Sequence, residues 1–198
     1  MSELVIIDNG GGNVASVRYA LERLGVAAVL SNDPARVRAA ARVILPGVGA
    51  AGEAMRRLAA AGLDRLIPTL TQPVLGICLG MQLLYAASAE GDTGCLGVIR
   101  GRAARLAAAP GRPVPHMGWN RLRILHADPL LDGIAEGEYV YFVHSFAAPV
   151  SQNTLASAEY GADIAAVVRR DNFWGTQFHP ERSTKVGARI LANFLRLT

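Results

Sequence analysis

Short apolar runs alternate with amphipathic segments through the N-terminal half of the chain. The run LVIID at 4–8 is followed by a glycine turn and then by apolar residues at helical spacing from Val14 to Leu24. This order is typical of a strand, a turn and a helix. The alternation continues with strands predicted at 27–30, 42–47 and 73–78, and with helices predicted near DPARVRAA and over 51–62. Strands that alternate with helices predict a parallel, doubly wound α/β sheet.

After about Gly94 the pattern changes to strand-like segments with few helices between them. These segments lie at 95–106, 121–125, 138–150, 154–160, 164–170 and 173–180. We expect antiparallel hairpins that extend or cover one end of the parallel sheet. The chain closes with a helix predicted over 183–197. Because no repeat, low-complexity segment or linker interrupts this order, we predict one domain over residues 1–198.

Composition and charge argue against several classes of protein. The chain is 51% hydrophobic and has a formal charge of +4, but its arginines are scattered and Lys185 is the only lysine, so a nucleic-acid surface is not expected. No apolar run approaches the roughly 20 residues of a membrane span, and we expect a cytoplasmic protein. Cys78 and Cys95 lack CxxC spacing, and we predict neither a disulfide nor a metal site.

A cysteine stands between two glycines where a predicted strand gives way to a helix, in VLGICLGMQLL. Ligands of parallel sheets bind at the carboxyl ends of the strands, and Cys78 lies at such an end. Gly76 and Gly80 would let the chain turn sharply and leave the sulfur exposed, as in the elbows that present a serine nucleophile. The N-terminus of a helix from Leu79 would stabilise a thiolate. The alternative is a buried cysteine beside glycines that pack the helix.

A thiolate nucleophile needs a base, and the chain has four histidines. His179 follows an apolar strand, and Glu181 lies two positions later, on the same side of an extended segment. Glu181 could hydrogen-bond one imidazole nitrogen and leave the other for Cys78. His116 and His144 remain possible bases, but neither has an acidic residue two positions away.

An acyl-transfer site also needs donors for an oxyanion. The stretch LPGVGA at 45–50 follows a predicted strand, and its glycines could turn the peptide N–H of Val48 towards a substrate. The N–H of Leu79, the residue after the nucleophile, would be the second donor. An ordinary strand-to-helix turn is the alternative for this stretch. The glycines of NGGGN at 9–13 lack the full GxGxxG spacing and are only a weak nucleotide signal.

Taken together, GICLGMQ, FHPE and PGVG resemble the motifs of the triad, or class I, glutamine amidotransferases. The resemblance runs from DNGGGN to the closing helix. Within that family, the secondary motifs are similar to those of the glutaminase subunits of imidazole glycerol phosphate synthases, which act in histidine biosynthesis; they are LPGVGAAGEAM, PHMGWN, YFVHS and QFHPERSTKVG. The resemblance implies a flavodoxin-like, doubly wound and mostly parallel sheet, with antiparallel strands added in the C-terminal half.

The resemblance also implies roles for individual residues. Cys78 would attack the side-chain amide of L-glutamine, His179 would shuttle the proton, and Glu181 would orient His179. Ammonia would leave, and water would release glutamate from the thioester, with no cofactor. Glu90 would meet the ammonium group of the substrate. The positions that correspond to the family's glutamine-holding residues are Gly49, Gln82, Glu90, Ser145 and Phe146.

A partner is implied as well, because this type of subunit does not use its own ammonia. The resemblance implies a heterodimer with a cyclase subunit, a (β/α)8 barrel that receives the ammonia and cleaves and cyclises a nucleotide. Relatives often carry lysine where this chain has Arg182, so the positive charge is retained. The positions expected near the partner are Gly10, Gly11, Gly12, Asn13, Tyr141 and Arg182.

Three other functions stay open at this point. A triad amidotransferase that supplies ammonia for tryptophan, pyridoxal phosphate or purine synthesis would share the catalytic motifs, although such relatives generally lack HMGWN and YFVHS. A hydrolase of γ-glutamyl peptides would share the triad and need no partner. Outside enzymes, a flavodoxin-like binding or regulatory module would simply bury Cys78. Labelling by a glutamine analogue such as diazo-oxonorleucine distinguishes this last function, because an inert core cysteine would not react.

Overall fold

The structure, a computed structural model, describes residues 3–8, 10 and 14–198. Its α-helices are α1 Val14–Arg23, α2 Pro34–Ala39, α3 Ala51–Ala60, α4 Leu63–Leu66, α5 Leu79–Leu83 and α6 Thr184–Phe194. Its strands are β1 Leu4–Ile7, β2 Ala28–Ser31, β3 Arg42–Gly47, β4 Val74–Cys78, β5 Tyr85–Ser88, β6 Thr93–Gly94, β7 Ile99–Arg105, β8 His116–Arg121, β9 Arg123–Ile124, β10 Tyr139–His144, β11 Phe146–Ala147, β12 Thr154–Glu159, β13 Asp163–Arg170 and β14 Phe173–Thr176.

The main sheet has eight strands in the order β2-β1-β3-β4-β14-β13-β12-β9. The first five strands in this order pair in parallel, and the last three are joined by antiparallel pairing. The predicted mostly parallel sheet with antiparallel strands added by the C-terminal half is therefore confirmed. Because β14 pairs in parallel with β4, the segments that follow Cys78 and Thr176 emerge at the same edge of the sheet.

Helices cover both faces of the central parallel strands, which explains why β1, β4 and most of β3 are apolar and buried. Along β1, Leu4 and Ile6 lie in one core with the apolar faces of α1 and α6. Val5 and Ile7 point to the opposite face, where α2, α3 and α4 supply the packing. Alternate residues of one strand thus serve two separate cores. Among the residues described, no helix combines the length and the apolar composition that crossing a membrane requires.

Two smaller sheets lie beside the main one. Strands β8 and β10 form an antiparallel ribbon, and β11-β7-β5-β6 form a four-stranded sheet. The segment at 138–150 is therefore not one strand, because β10 ends at His144 and β11 begins at Phe146. Neither β5 nor β8 is predicted by the sequence. β5 follows α5 almost directly, and the predicted helix from Leu79 consequently ends after five residues.

Glycines let the carboxyl ends of β3 and β4 lie against the start of α5. A Cβ atom on Gly80 would lie 1.9 Å from the carbonyl oxygen of Leu45, and one on Gly76 would lie 2.7 Å from the carbonyl oxygen of Gly80. Gly47 is equally close, since its Cβ would meet the Gly80 nitrogen at 2.7 Å. These backbone contacts leave no room for a side chain. The turn at Cys78 is therefore held in place by the close approach of two strands and a helix.

We expect Gly80→Ala to lower the free energy of unfolding by about 3 kcal/mol or more, because the added methyl group meets backbone rather than a mobile side chain. Urea unfolding measures the change. Gly94→Ala is the matched control, since a Cβ there has no atom within 4 Å. Equal stability of the two variants would contradict the close packing described at the turn.

Candidate active site

Cys78 ends β4 and precedes α5 in a backbone conformation that is unusual for a residue with a side chain. Its φ is 53° and its ψ is −110°. Such a positive φ costs on the order of 1–3 kcal/mol outside glycine, and it persists only where the surroundings impose it. Here the glycine contacts of β3, β4 and α5 impose it. The sharp strand-to-helix turn predicted around Cys78 is confirmed.

The predicted exposure of the sulfur is wrong. Cys78 is only 6% exposed. The ribbon lies over it, because the carbonyl oxygen of Val143 in β10 accepts a hydrogen bond from the thiol at 3.8 Å. The sequence pattern indicated the turn but could not indicate the strand that covers it. A substrate must therefore reach the thiol through a cavity rather than from open solvent.

His179 and Glu181 lie beside this cysteine. His179 follows β14, the strand paired with β4, and its Nδ1 lies 2.8 Å from Oε1 of Glu181. The Glu181 side chain is fully buried. A carboxylate can only accept, so Nδ1 carries the proton and Nε2 is the nitrogen that remains for Cys78. Cys78 is close enough to His179 to raise the pKa of its imidazole. The structure thus brings Cys78, His179 and Glu181 into one connected chain.

The electrostatics of this chain favour a charged imidazolium. Burial alone lowers the pKa of His179, but the hydrogen bonds to Cys78 and Glu181 and the charges of these two groups raise the pKa to about 10. An imidazolium beside a thiol stabilises the thiolate, the form that reacts with electrophiles. The arrangement is therefore that of an activated cysteine nucleophile.

A cavity of about 490 Å³ opens onto the sulfur. Val48 and Leu79, the predicted oxyanion donors, both border it. Val48 directly follows Gly47, which pairs with Cys78 across β3 and β4. The cavity is lined by Val48, Gly49, Cys78, Leu79, Gln82, Glu90, Pro115, Val143, His144, Ser145, Phe146, His179 and Arg182. All five positions predicted to hold glutamine are in this set, so the structure brings them together around the thiol.

Two of these side chains are already anchored by protein hydrogen bonds. Oε2 of Glu90 accepts from the backbone N–H of Ala51 at 2.8 Å, which ties the carboxylate to the start of α3. Nε2 of Gln82 donates to the carbonyl oxygen of Phe146 at 2.7 Å and to Oε1 of Gln177 at 3.0 Å. Both N–H groups of Gln82 are thereby used, so a ligand could contact the Gln82 amide only through its oxygen.

A pair of buried histidines adjoins the cavity. Nδ1 of His144 donates to the carbonyl oxygen of Phe146 at 2.9 Å, which leaves Nε2 of His144 as an acceptor for Nδ1 of His116 at 3.0 Å. The His116 ring lies between Phe142 and Tyr160. Burial lowers the pKa of each histidine to about 4. Neither is therefore the base that their positions in the sequence left possible; both are neutral, and His144 lines the cavity with His116 behind it.

Because the pKa values of these two histidines are low in the folded protein, we predict that the protein loses stability in mild acid. A histidine takes up a proton near its ordinary pKa of 6.5 when unfolded but only near 4 when folded, so stability falls as pH drops from about 6.5 towards 4. We expect each to cost roughly 2–3 kcal/mol between about pH 7.5 and pH 4.5. Denaturant unfolding of the native chain and of a His116→Gln, His144→Gln variant measures the difference. Equal pH dependence of the two proteins would refute the prediction.

The ribbon carries an exposed face next to the cavity. Met117 and Trp119 are 67% and 49% exposed, and Tyr139 is 47% exposed. By strand alternation and pairing, the outer face of the ribbon consists of Met117, Trp119, Arg121, Tyr139, Tyr141 and Val143. The guanidinium of Arg182 lies over the Tyr141 ring at 4.7 Å, and Arg182 also borders the cavity. Tyr141 and Arg182 therefore link this face to the site.

Of the remaining predicted interface positions, the structure describes only Gly10, which follows β1. Gly10 has a φ of 68°, and its N–H donates to Oδ1 of Asp8 at 3.1 Å. Gly11, Gly12 and Asn13 lie outside the described residues. Cys78 and Cys95 are both free thiols. Within the described part of the chain, no group of three or more His, Cys, Asp or Glu side chains is arranged to hold a metal.

Sequence reasoning missed one polar group beside the sulfur. Nε2 of Gln177 lies 3.8 Å from Sγ of Cys78, and the residue is fully buried. A signal was available, because Gln177 precedes His179 by two positions and an extended chain points both to the same side. The exposed face of the ribbon was also missed, since the strand β8 that carries half of it was not predicted.

Known proteins resemble this chain along its whole length. The family model described as glutamine amidotransferase class-I matches residues 5–197. The imidazole glycerol phosphate synthase subunit HisH of Xylella fastidiosa (strain Temecula1) is 53% identical over 197 residues, covering 100% of this chain and 98% of that protein. The subunit of the same name from Shewanella oneidensis is 49% identical over 212 residues, covering 98% of this chain and 96% of that protein.

Solved structures with low sequence identity share the fold. The structure of PurLQS from Thermotoga maritima matches with a TM-score of 0.75 at 19% identity, covering 98% of each chain. A crystal structure described as a glutamine amidotransferase also matches with a TM-score of 0.75 at 19% identity, covering 96% of each chain. At this identity the likeness concerns the fold alone.

Proposed function

Because this chain belongs to the class-I glutamine amidotransferase family, we propose that its cavity hydrolyses the side-chain amide of L-glutamine to glutamate and ammonia. The chain is the glutaminase subunit of an imidazole glycerol phosphate synthase in histidine biosynthesis, as are the relatives that are about half identical to it. We therefore favour this function over that of an amidotransferase that supplies ammonia for tryptophan, pyridoxal phosphate or purine synthesis. The observation that carries the chemistry is the chain of contacts from Cys78 through His179 to Glu181 at the end of a cavity.

The first half of the reaction forms a thioester. Sγ of Cys78 attacks the side-chain amide carbon of glutamine, and the carbonyl oxygen becomes an oxyanion facing the peptide N–H groups of Val48 and Leu79. His179 then gives its proton to the amide nitrogen. The carbon–nitrogen bond breaks and ammonia leaves. Glu181 keeps the imidazole oriented and stabilises its positive charge throughout.

The second half releases glutamate. Nε2 of His179 removes a proton from water, which attacks the thioester carbon. The carbon–sulfur bond breaks, its electron pair returns to sulfur, and His179 is again an imidazolium beside a thiolate. Glu90 pairs with the ammonium group of glutamine, while Gly49, Gln82, Ser145 and Phe146 bound the rest of the substrate.

The ammonia is used by a partner, a cyclase subunit with a (β/α)8 barrel that forms a heterodimer with this chain. The outer face of the ribbon supports a docking site, because it exposes Trp119, Met117 and Tyr139 beside the active-site cavity. Arg182 lies over the Tyr141 ring of this face and also borders the cavity, and we expect the turn at Gly10 to Asn13 to be a further contact with the partner. Two free thiols suit the reducing cytoplasm, where we place the complex.

We predict that the chain alone is a poor glutaminase and becomes active when the cyclase has docked and bound its nucleotide. The N–H of Val48 belongs to the peptide group that follows Gly47, and glycine tolerates the change in ψ that turning this peptide requires. Turning the Val48 N–H away from the oxyanion is expected to lower the rate by about 10²–10³. The assay compares glutamine turnover by the chain, by the complex, and by the complex with nucleotide.

The outcomes of this assay are distinct. A rise confined to the complex with nucleotide supports the proposed control of the oxyanion donors. Equal turnover in all three samples contradicts that control but leaves the glutaminase assignment intact. If no sample hydrolyses glutamine, although the purified cyclase forms a complex and uses ammonium salts, the proposed function itself is wrong.

A further inference from the structure

Gln177 is a buried polar residue that the proton transfers described above do not use. Its backbone N–H donates to the carbonyl oxygen of Ala166 at 2.9 Å, just beyond the end of β14. Its side chain is completely enclosed and does not border the cavity. Nevertheless its Nε2 lies 3.8 Å from Sγ of Cys78, within hydrogen-bonding reach of sulfur. A buried amide requires partners, and one of those available here is the nucleophile itself.

The orientation of the Gln177 amide is set by a neighbouring main-chain carbonyl. The oxygen of Phe146 can only accept, so the end of the Gln82 amide that faces it at 2.7 Å must be the nitrogen. The same nitrogen donates to Gln177 at 3.0 Å, so the end of the Gln177 amide that faces Gln82 must be the oxygen. The N–H end of Gln177 is thereby turned towards Cys78.

The Phe146 carbonyl is held in turn by His144. Nδ1 of His144 donates to the same oxygen at 2.9 Å, so that oxygen accepts two hydrogen bonds. Both lone-pair directions of this oxygen are therefore occupied. The carbonyl is held in one position, and it in turn fixes the orientation of the Gln82 and Gln177 amides beside the sulfur.

We propose that Gln177 is a further catalytic residue that donates a hydrogen bond to the Cys78 thiolate, and that Gln82 and the Phe146 carbonyl are positioning groups that aim this donor. This proposal rests on the proposed glutaminase function. A buried thiolate has lost its water, and two donors, the His179 imidazolium and the Gln177 amide, replace it. The Val143 carbonyl, by contrast, can bond only the protonated thiol.

The donor acts at two points of the reaction. Before attack it stabilises the negative charge on the attacking sulfur, because a thiolate accepts a stronger hydrogen bond than a neutral thiol does. In deacylation the carbon–sulfur bond breaks and its electron pair goes to sulfur, and the Gln177 N–H stabilises the charge that develops there. In the thioester the sulfur is neutral and accepts hydrogen bonds weakly. The contribution of Gln177 is thus made when charge resides on sulfur.

Alkylation of Cys78 by iodoacetamide tests the proposal without glutamine or a partner. We expect Gln177→Met in the full-length chain to slow alkylation at neutral pH about tenfold, the loss of roughly one charge-assisted hydrogen bond. The Cys78 peptide is followed by mass spectrometry, which separates it from Cys95. In the complex with the cyclase and nucleotide, the same variant is expected to lower kcat without raising KM, because Gln177 does not border the cavity.

Thr176→Val is the matched control. Thr176 is buried in the same segment, and its hydroxyl donates to the Phe178 carbonyl at 3.1 Å rather than to sulfur. Its loss removes a buried hydrogen bond and is expected to leave the alkylation rate unchanged. Equal slowing in the two variants assigns the effect to packing and overturns the proposal, as does unchanged alkylation in Gln177→Met.

A second variant covers the case in which Gln177→Met does not fold. Gln82→Met keeps the donor but removes the group that aims it, and it is expected to slow alkylation by less than the loss of Gln177. Unchanged alkylation in Gln82→Met would overturn the aiming role. Alkylation needs no glutamine turnover. If the variants show the expected alkylation rates but no complex hydrolyses glutamine, the result counts against the proposed function and not against the donor.

Discussion

Replacing Cys78 with alanine is expected to lower glutamine hydrolysis by on the order of 10⁶-fold, the scale seen when other triad enzymes lose their nucleophile. The reason is chemical, because no other thiol borders the cavity and the thioester cannot form without one. The fold should persist, since alanine keeps the Cβ atom that the turn already accommodates. Glutaminase turnover in the complex with nucleotide measures the loss, and circular dichroism reports the fold.

The matched measurement for Cys78→Ala is cyclisation driven by ammonium salts. If ammonia production and cyclisation belong to separate chains, the variant complex should convert the nucleotide at the native rate when free ammonia is supplied. A variant that retained glutaminase activity would show that Cys78 is not the nucleophile. A variant complex that assembles but cannot use ammonia would contradict the division of labour between the subunits.

Replacing His179 with alanine is expected to lower kcat by about 10³–10⁴, because the same imidazole protonates the leaving ammonia and activates the water. The variant should also lose the imidazolium that stabilises the thiolate, so iodoacetamide should label Cys78 more slowly at neutral pH. Turnover in the complex with nucleotide and the rate of labelling are the two measurements.

Glu181→Gln is a milder change to the same pair of residues, and its loss of kcat can be compared with that of His179→Ala. The amide oxygen of glutamine can still accept from Nδ1, but the negative charge that helps raise the pKa of His179 is gone. We therefore expect a smaller loss of kcat than in His179→Ala. If Glu181→Gln were the more damaging change, the carboxylate would have a role beyond orienting and charging the imidazole.

The parallel half of the fold could be predicted from the sequence because its signals are local. The strands β1, β3 and β4 are apolar runs that end at glycine or at a small turn, and buried parallel strands have this composition. The turn at Cys78 was equally visible, since Gly76 and Gly80 mark it. The candidate triad followed from chemistry, because His179 lies after an apolar strand and has the Glu181 carboxylate two positions away.

What the sequence could not give depends on contacts between distant segments. The ribbon strand β10 covers Cys78, but nothing within YFVHS indicates that its main chain will lie against a thiol on β4. The orientation of Gln177 depends on Gln82 and on a carbonyl of β11, three groups far apart in the chain. Periodicity reports which face of an element is apolar, not which polar groups meet across it.

The positive φ of Cys78 sets stability against activity at a single position. Glycine adopts this backbone conformation without strain, whereas any residue with a side chain adds on the order of 1–3 kcal/mol to the energy of the folded state. A campaign that selects heat-resistant variants without assaying ammonia release will therefore favour Cys78→Gly, and its most stable products will be inactive. To raise the thermal stability of this subunit without losing activity, residue 78 must be kept as cysteine and stabilising substitutions must be selected at other positions.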